Sequence, residues 1–247
     1  MLKILTVMSA LLVAGTASAQ DAGWQYKATL YAWLPTLTTS TDTRFGTLNT
    51  SKSGSSVIKD LKAAFMGDFS AQNGKWGFVG DLLYADLGNT KKTPFNLFGD
   101  ASVNMHLSAL SGYALYRLSD DPRVKFDAGV GFRNFNLGLK VHLSAGLGPQ
   151  GRNSFSQNFD KTWTDPLIAA RLNVPFNDKW FLSGFADFGG TGGGNQTYQI
   201  YTGVGYNFDS AWSAQLGYRY MDIGQRIDGK KVKIGLSGAL MAVSYSF

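Results

Sequence analysis

The chain has 247 residues, a formal net charge of +6 and no cysteine, so neither a disulfide framework nor a thiolate metal site is available to it. All 17 of its acidic residues are aspartate; a helical protein would place glutamate on its wet faces, whereas aspartate suits turns and strand ends. With 30 glycines, 14% aromatics and no membrane-helix-length apolar run beyond the N-terminal segment, the composition excludes a helical membrane protein and predicts a chain rich in strands.

Residues 1–19 read MLKILTVMSALLVAGTASA. Lys3 supplies a positive start, an apolar run follows, and Ala17-Ser18-Ala19 is a small-residue cleavage site, the order expected of a secretory signal peptide. The mature part, residues 20–247, shows no linker or composition break and is expected to form a single domain.

Period-2 alternation then recurs along the chain. Trp24, Tyr26, Ala28, Leu30, Ala32 and Leu34 oppose Lys27, Tyr31 and Trp33. Phe65 and Phe69 oppose Met66 and Asp68; Trp76, Phe78, Leu82 and Tyr84 oppose Val79 and Asp81. Val103, Met105, Leu107 and Ala109 oppose Asn104, His106 and Ser108. Phe126, Ala128, Val130 and Phe132 oppose Lys125, Asp127 and Arg133; Ile168, Ala170, Leu172 and Val174 oppose Asp165 and Arg171. Trp180, Leu182 and Phe188 oppose Ser183 and Asp187, Ile200 and Val204 oppose Gln199, and Leu216 and Tyr218 oppose Gln215 and Arg219. The last strand, within 231–247, puts Met241, Val243, Tyr245 and Phe247 on one side and Ala242, Ser244 and Ser246 on the other.

Tight connections at 73–75, 119–123, 176–179 and 209–210 alternate with longer ones at 38–61, 89–101, 141–157, 189–195 and 223–230. That sorting predicts an all-β fold: a closed antiparallel up-and-down transmembrane β-barrel of about ten strands, with short periplasmic turns, longer extracellular loops and both termini periplasmic. A hairpin inside 38–61 would raise the count to twelve, and two misread strands would lower it to eight. A short helical turn is expected around Val57, Ile58 and Leu61.

The chain resembles the bacterial outer-membrane β-barrel proteins. More narrowly, WTDP at 163–166, DFGG at 187–190 and GYRY at 217–220 look like a proteobacterial family of small barrels near the OmpA-membrane-domain and OmpW-like types, whose activity is poorly defined. The resemblance implies an outer-membrane location. It also implies that Tyr245 and Phe247 form a terminal signal read by the barrel-assembly machinery.

On the face away from lipid the alternation collects Lys27, Asp68, Asp81, Lys125, Asp127, Arg133, Asp165, Arg171, Asp187 and Arg219, five acids and five bases. With Tyr31, Trp33, Phe135, Phe181, Phe185 and Tyr201 among them, they predict a salt-bridged, largely occluded interior. Arg219 and Asp187 are expected to pair; Arg171 and Asp165 lie too far apart on one strand and need other partners. The function implied is structural or surface interaction. The alternative is a narrow or gated porin-like channel for small solutes or apolar molecules.

No enzyme is expected, and a lipid-active barrel enzyme using His106 and Ser108 is the remote alternative. His106 and Ser108 share a strand face, a spacing similar to that of the lipid A deacylases, but that family adds a glutamate and this chain has none. No metal-ligand spacing is present, no cofactor is implied, and GGTGGGN at 189–195 lacks the Lys-Ser/Thr and helix of a phosphate loop. The basic balance suits lipopolysaccharide phosphates, through Lys91, Lys92, Lys230 and Lys231, rather than nucleic acid.

Overall fold

The structure, a computed structural model, describes residues 23–43, 46–92, 98–146, 153–227 and 230–247; residues 1–19, the expected signal peptide, lie outside them. The alternating stretches form β1 (Trp24–Thr43), β2 (Gly46–Lys52), β3 (Leu61–Asn73), β4 (Trp76–Lys92), β5 (Phe98–Asp121), β6 (Val124–Ala145), β7 (Phe155–Pro175), β8 (Trp180–Gly192), β9 (Asn195–Asn207), β10 (Trp212–Ile227) and β11 (Lys230–Ser246), with one helix, α1 (Gly54–Asp60). From β3 to β11 each strand pairs with the next, β1 pairs with β3, and β11 returns to β1 from Lys27↔Ser246 to Thr41↔Val232. The result is a closed antiparallel barrel of ten strands. β2 stands outside that count, because it folds back on the upper part of β1 alone, from Leu37↔Lys52 to Thr43↔Gly46.

Side-chain oxygens set the tight turns. The Asp121 carboxylate accepts the N–H of Arg123 at 2.8 Å. Asn177 accepts those of Lys179 and Trp180 at 2.9 and 2.8 Å. Asp209 accepts those of Trp212 and Ala211 at 2.7 and 2.8 Å, and these bonds hold its carboxyl below the usual carboxylate range. Call this the turn end of the barrel, and the opposite rim the loop end. The loop-end connections are shorter than their sequence suggests, because the strands on both sides extend into them. Strands β8 and β9 extend until only Gly193 and Gly194 join them. Four glycines there take positive φ, Gly190 at 135°, Gly192 at 79°, Gly193 at 64° and Gly194 at 99°, a region side chains avoid. Most of 223–230 is likewise strand.

The wall has two tiers. Near the turn end, outward residues are apolar: β6 exposes Val124, Val130 and Phe132, and β10 exposes Trp212, Leu216 and Tyr218. On β6 this stretch is nine residues long, the length that crosses a bilayer at a tilt. β5, however, has 24 residues, and above Leu110 its pattern inverts. Leu107 and Ala109 are buried inside, while Asn104, His106 and Ser108 face outward. On the neighbouring strands, Asn134 and Asn136 donate to the Thr164 and Thr162 hydroxyls across the outer face, at 2.8 and 3.0 Å. The upper tier is therefore built like a soluble protein. Its core joins Trp33, Leu83, Leu107, Phe135, Leu137, Met221, Ile223, Ile234 and Leu236. The alternation at 103–109 runs the other way round from that at 126–132, because it lies above the apolar band.

Candidate functional site

Inward-pointing side chains at mid-height meet across the lumen. Arg133 of β6 is fully buried. Its guanidinium grips Asp187 of β8 with two N–H groups, at 2.5 and 3.2 Å, and both side chains of the pair have zero exposure. The same group donates to Ser111, Tyr113 and Thr197 at 3.0, 2.7 and 3.3 Å. The Tyr113 hydroxyl donates to Asp187 at 2.8 Å, and the Gln199 amide donates to it at 2.6 Å. Arg219 of β10 donates to the Gln199 carbonyl at 2.6 Å, to the Tyr31 hydroxyl at 2.9 Å and to Asp81 at 3.4 Å. Tyr31 in turn donates to Asp81 at 2.7 Å. This network joins β1, β4, β5, β6, β8, β9 and β10. An unpaired charge at such depth would be expensive, and here Arg133 meets carboxylate and hydroxyl oxygens and Arg219 carboxylate, amide and hydroxyl oxygens.

Below it, towards the turn end, a second group forms around Asp127. That carboxylate accepts from Arg171 at 2.7 Å and from Arg117, and Arg171 also reaches Gln72 at 2.9 Å. Between the two groups lies a polar cavity of about 190 Å³, with Lys27, Asp68, Ser183 and Gln215 on its wall. Above the mid-height network lies the upper-tier core.

The placement corrects one expected pairing. Arg219 does not pair with Asp187; Gln199, on the strand between them, bridges the two, so that Arg219 turns to Asp81 and Asp187 takes Arg133. Arg171 finds Asp127. Asp165, also fully buried, accepts the Trp163 indole N–H at 3.0 Å, while its other oxygen has no partner. Lys125 is exposed at the turn end, outside both networks. Arg117, Tyr113 and Gln199 are members that sequence reasoning missed. Around 113–118 both strand faces are rich in apolar residues, so contrast gives no signal there.

His106 and Ser108 do share a face, but it is the outer one. The His106 ring packs edge-on against Tyr84 at 5.1 Å, and no hydrogen bond joins His106 to Ser108 among the described residues. No cluster of three metal-ligating side chains occurs among the described residues.

The terminal strand completes the wall. Phe247 and Tyr26 exchange main-chain hydrogen bonds of 3.0 and 3.1 Å, and Phe247 stacks on Tyr26 and Tyr245 at 5.7 and 5.8 Å. Trp24, Trp76, Trp180 and Trp212 are exposed around the same rim, an aromatic girdle of the kind that sits at a membrane interface.

This architecture is that of the bacterial outer-membrane β-barrels. The chain is similar in fold to the outer membrane protease OmpT from Escherichia coli, with a TM-score of 0.63 over 92% of this chain and 98% of that one, at 8% identity. It also overlays, more loosely, on the toluene transporter TodX of Pseudomonas putida (TM-score 0.40, 11% identity, 91% of this chain and 90% of that one). A third match is Ail of Yersinia pestis (TM-score 0.38, 11% identity, 91% and 99%). Only the first overlay is close enough to speak to the fold. No protein-family model and no curated protein sequence matches the chain.

Proposed function

We propose that this protein is an integral outer-membrane barrel whose interior is closed to aqueous diffusion, and that it acts as a structural or surface-interaction protein. One observation carries the reading: the Arg133–Asp187 pair, joined inside the barrel past the intervening β7, has no exposure of either side chain. A water-filled pore would leave such charges solvated. The narrower resemblance to small OmpA- and OmpW-like barrels agrees with this reading. The turn end faces the periplasm and the loop end faces outward. There, exposed Lys91, Lys92, Lys140, Arg226, Lys231 and Lys233 ring the upper tier with positive charge suited to lipopolysaccharide phosphates. The protein is not an enzyme on this reading, and the terminal aromatics serve its insertion by the assembly machinery.

Single cysteines test it in intact cells, since the chain has none of its own. An impermeant maleimide added outside should label Asn153→Cys at the loop end and spare Asn73→Cys at the turn end. It should also spare Ser183→Cys, which lines the cavity beneath the network. Labelling of Ser183→Cys as fast as Asn153→Cys would contradict the closed interior; labelling of Asn73→Cys alone would reverse the orientation.

A further inference from the structure

The barrel wall has a gap. The β1–β3 ladder ends at Leu30↔Gly67, and the β1–β2 ladder begins only at Leu37↔Lys52. Residues 31–36 of β1 therefore have no strand partner on that side, and neither do residues 61–66 of β3. The β11 side of β1, by contrast, is paired from Lys27 to Thr41; a second unpaired edge, residues 155–166 of β7 on the β8 side, lies nearer the loop end. Main-chain groups at membrane depth need partners, and an open strand edge there calls for a cover.

The cover is α1. Gly54 lies so close to β1 that a Cβ there would stand 3.2 Å from the Leu34 carbonyl oxygen. At the other end of the helix Asp60 is buried. It pairs with Lys52 of β2 and accepts the Asn89 amide of β4 at 2.5 Å. The helix is thus held at both ends and crosses the gap between them without joining either ladder. Leu34, Ile58, Leu61 and Phe65 are all exposed around it. Leu34 is the last apolar outward residue of β1 before Thr36, so the gap opens at the upper edge of the apolar band.

Behind α1 lies a cavity of about 170 Å³. No charged, hydroxyl or amide side chain lines it. Its walls come from Trp33, Met66, Leu83, Met105, Leu107 and Leu236, with Val57 and Ile58 of the helix on the open side. A dry apolar cavity of comparable size takes up benzene or xenon. The Trp33 ring on this wall turns its other side to the Arg219 guanidinium, at 5.0 Å, so the wall separates the chamber from the charged network.

We propose that this chamber binds a small neutral alkyl molecule of medium chain length, which enters sideways from the bilayer between β1 and β3. The lining excludes a charged head, because nothing in it would compensate an ion. The volume excludes a whole lipid. The window opens onto hydrocarbon rather than water, so the guest is one that partitions into the membrane first. The inference rests on the membrane placement proposed above, and it adds a ligand to a barrel whose lumen stays closed to water.

The methionines report on it directly. Outside the signal segment there are four: Met66 and Met105 line the chamber, Met221 is buried beyond it, and Met241 is exposed on the apolar band. Protein labelled with methyl-13C methionine in lipid nanodiscs is titrated with 1-octanol. The Met66 and Met105 signals should shift saturably while Met221 stays in place. n-Octane should produce the same saturable shifts, because the lining recognises the alkyl chain. Ala85→Phe, which fills the chamber, should abolish the saturable shift. Shifts at Met66 and Met105 that merely track Met241 without saturating would overturn the site. Glycerol acting as octanol does would overturn the lateral entry, because the chamber would then open to water. A nitroxide lipid serves as the separate check on placement: it should broaden Met241, and failure there would overturn the membrane reading on which the proposal rests.

Discussion

At the scale of single residues, the proposed closed interior depends on buried charge pairs, above all Arg133–Asp187. Replacing Arg133 by methionine would leave Asp187 buried with its charge uncompensated, a change that typically costs about 3–5 kcal/mol. The double variant Arg133→Met, Asp187→Leu removes both charges and should recover most of that loss, and a cycle of urea midpoints would measure the difference. If the single variant is as stable as the parent, the pair is solvated and the lumen is wet. The polar side of each strand could be read from the sequence: Asp81, Asp127, Arg133, Asp187 and Arg219 alternate with residues that face outward. Their partners could not be read, because the stagger of the barrel decides which inward groups meet. Arg219 thus meets Asp81 on the far side of the lumen, and the uncharged Gln199 stands between it and Asp187. Nor could Arg117 be found, since its neighbours Tyr116 and Leu118 face lipid while Leu115 faces the core, leaving no polar contrast along that stretch.

At the scale of elements, β1 and α1 depart furthest from a regular barrel. The latch at Asp60 carries a pH dependence whose sign follows from its surroundings. The Lys52 ammonium beside it, helped by Asn89 and by the charge of Lys91, holds the Asp60 carboxyl below its ordinary value. A carboxylate depressed in the folded state stabilises above its unfolded pKa of about 3.9, and that contribution is lost as pH falls through the lower, folded value. The helix should therefore stay docked at neutral pH and loosen only below about pH 4. Asp60→Asn should be loosened at every pH. The linewidths of Met66 and Met105 would follow this, and a transition between pH 6 and 7 would contradict it. At the other rim, Phe247 is 60% exposed, so its ring contributes only roughly 1 kcal/mol or less to the folded wall. Phe247→Ala keeps the main-chain bonds to Tyr26 and should slow insertion in cells far more than it lowers the unfolding midpoint. Assembly at the parental rate would reduce this residue to a member of the girdle. The hairpin and helical turn in 38–61 were legible from their polar and apolar spacing. The gap they leave in the wall was not, because ladder lengths depend on where β3 begins.

At the scale of the whole molecule, two tiers with opposite patterns share one set of strands. The lower tier is apolar outside and charged inside; the upper is polar outside and apolar inside, with the change falling between Leu110 and Ser108 on β5 and between Phe132 and Asn134 on β6. Strand count, closure and the tight turns follow from period-2 alternation and from the positions of Asp121, Asn177 and Asp209, all local features. The inversion is not local. Val103 to Ala109 alternate as cleanly as Phe126 to Phe132, and only their height above the turn end says which face meets water. On the proposed reading the Asp127 group, the Arg133–Arg219 network and the upper core, stacked in this order, close the aqueous path. The most direct test is the conductance of the purified parent protein in a planar bilayer, with Arg219→Ala alongside it. The parent should show no open-pore steps, and the variant should gain conductance as its unfolding midpoint falls. Steady nanosiemens steps from the parent would contradict the closed interior and make the barrel a channel.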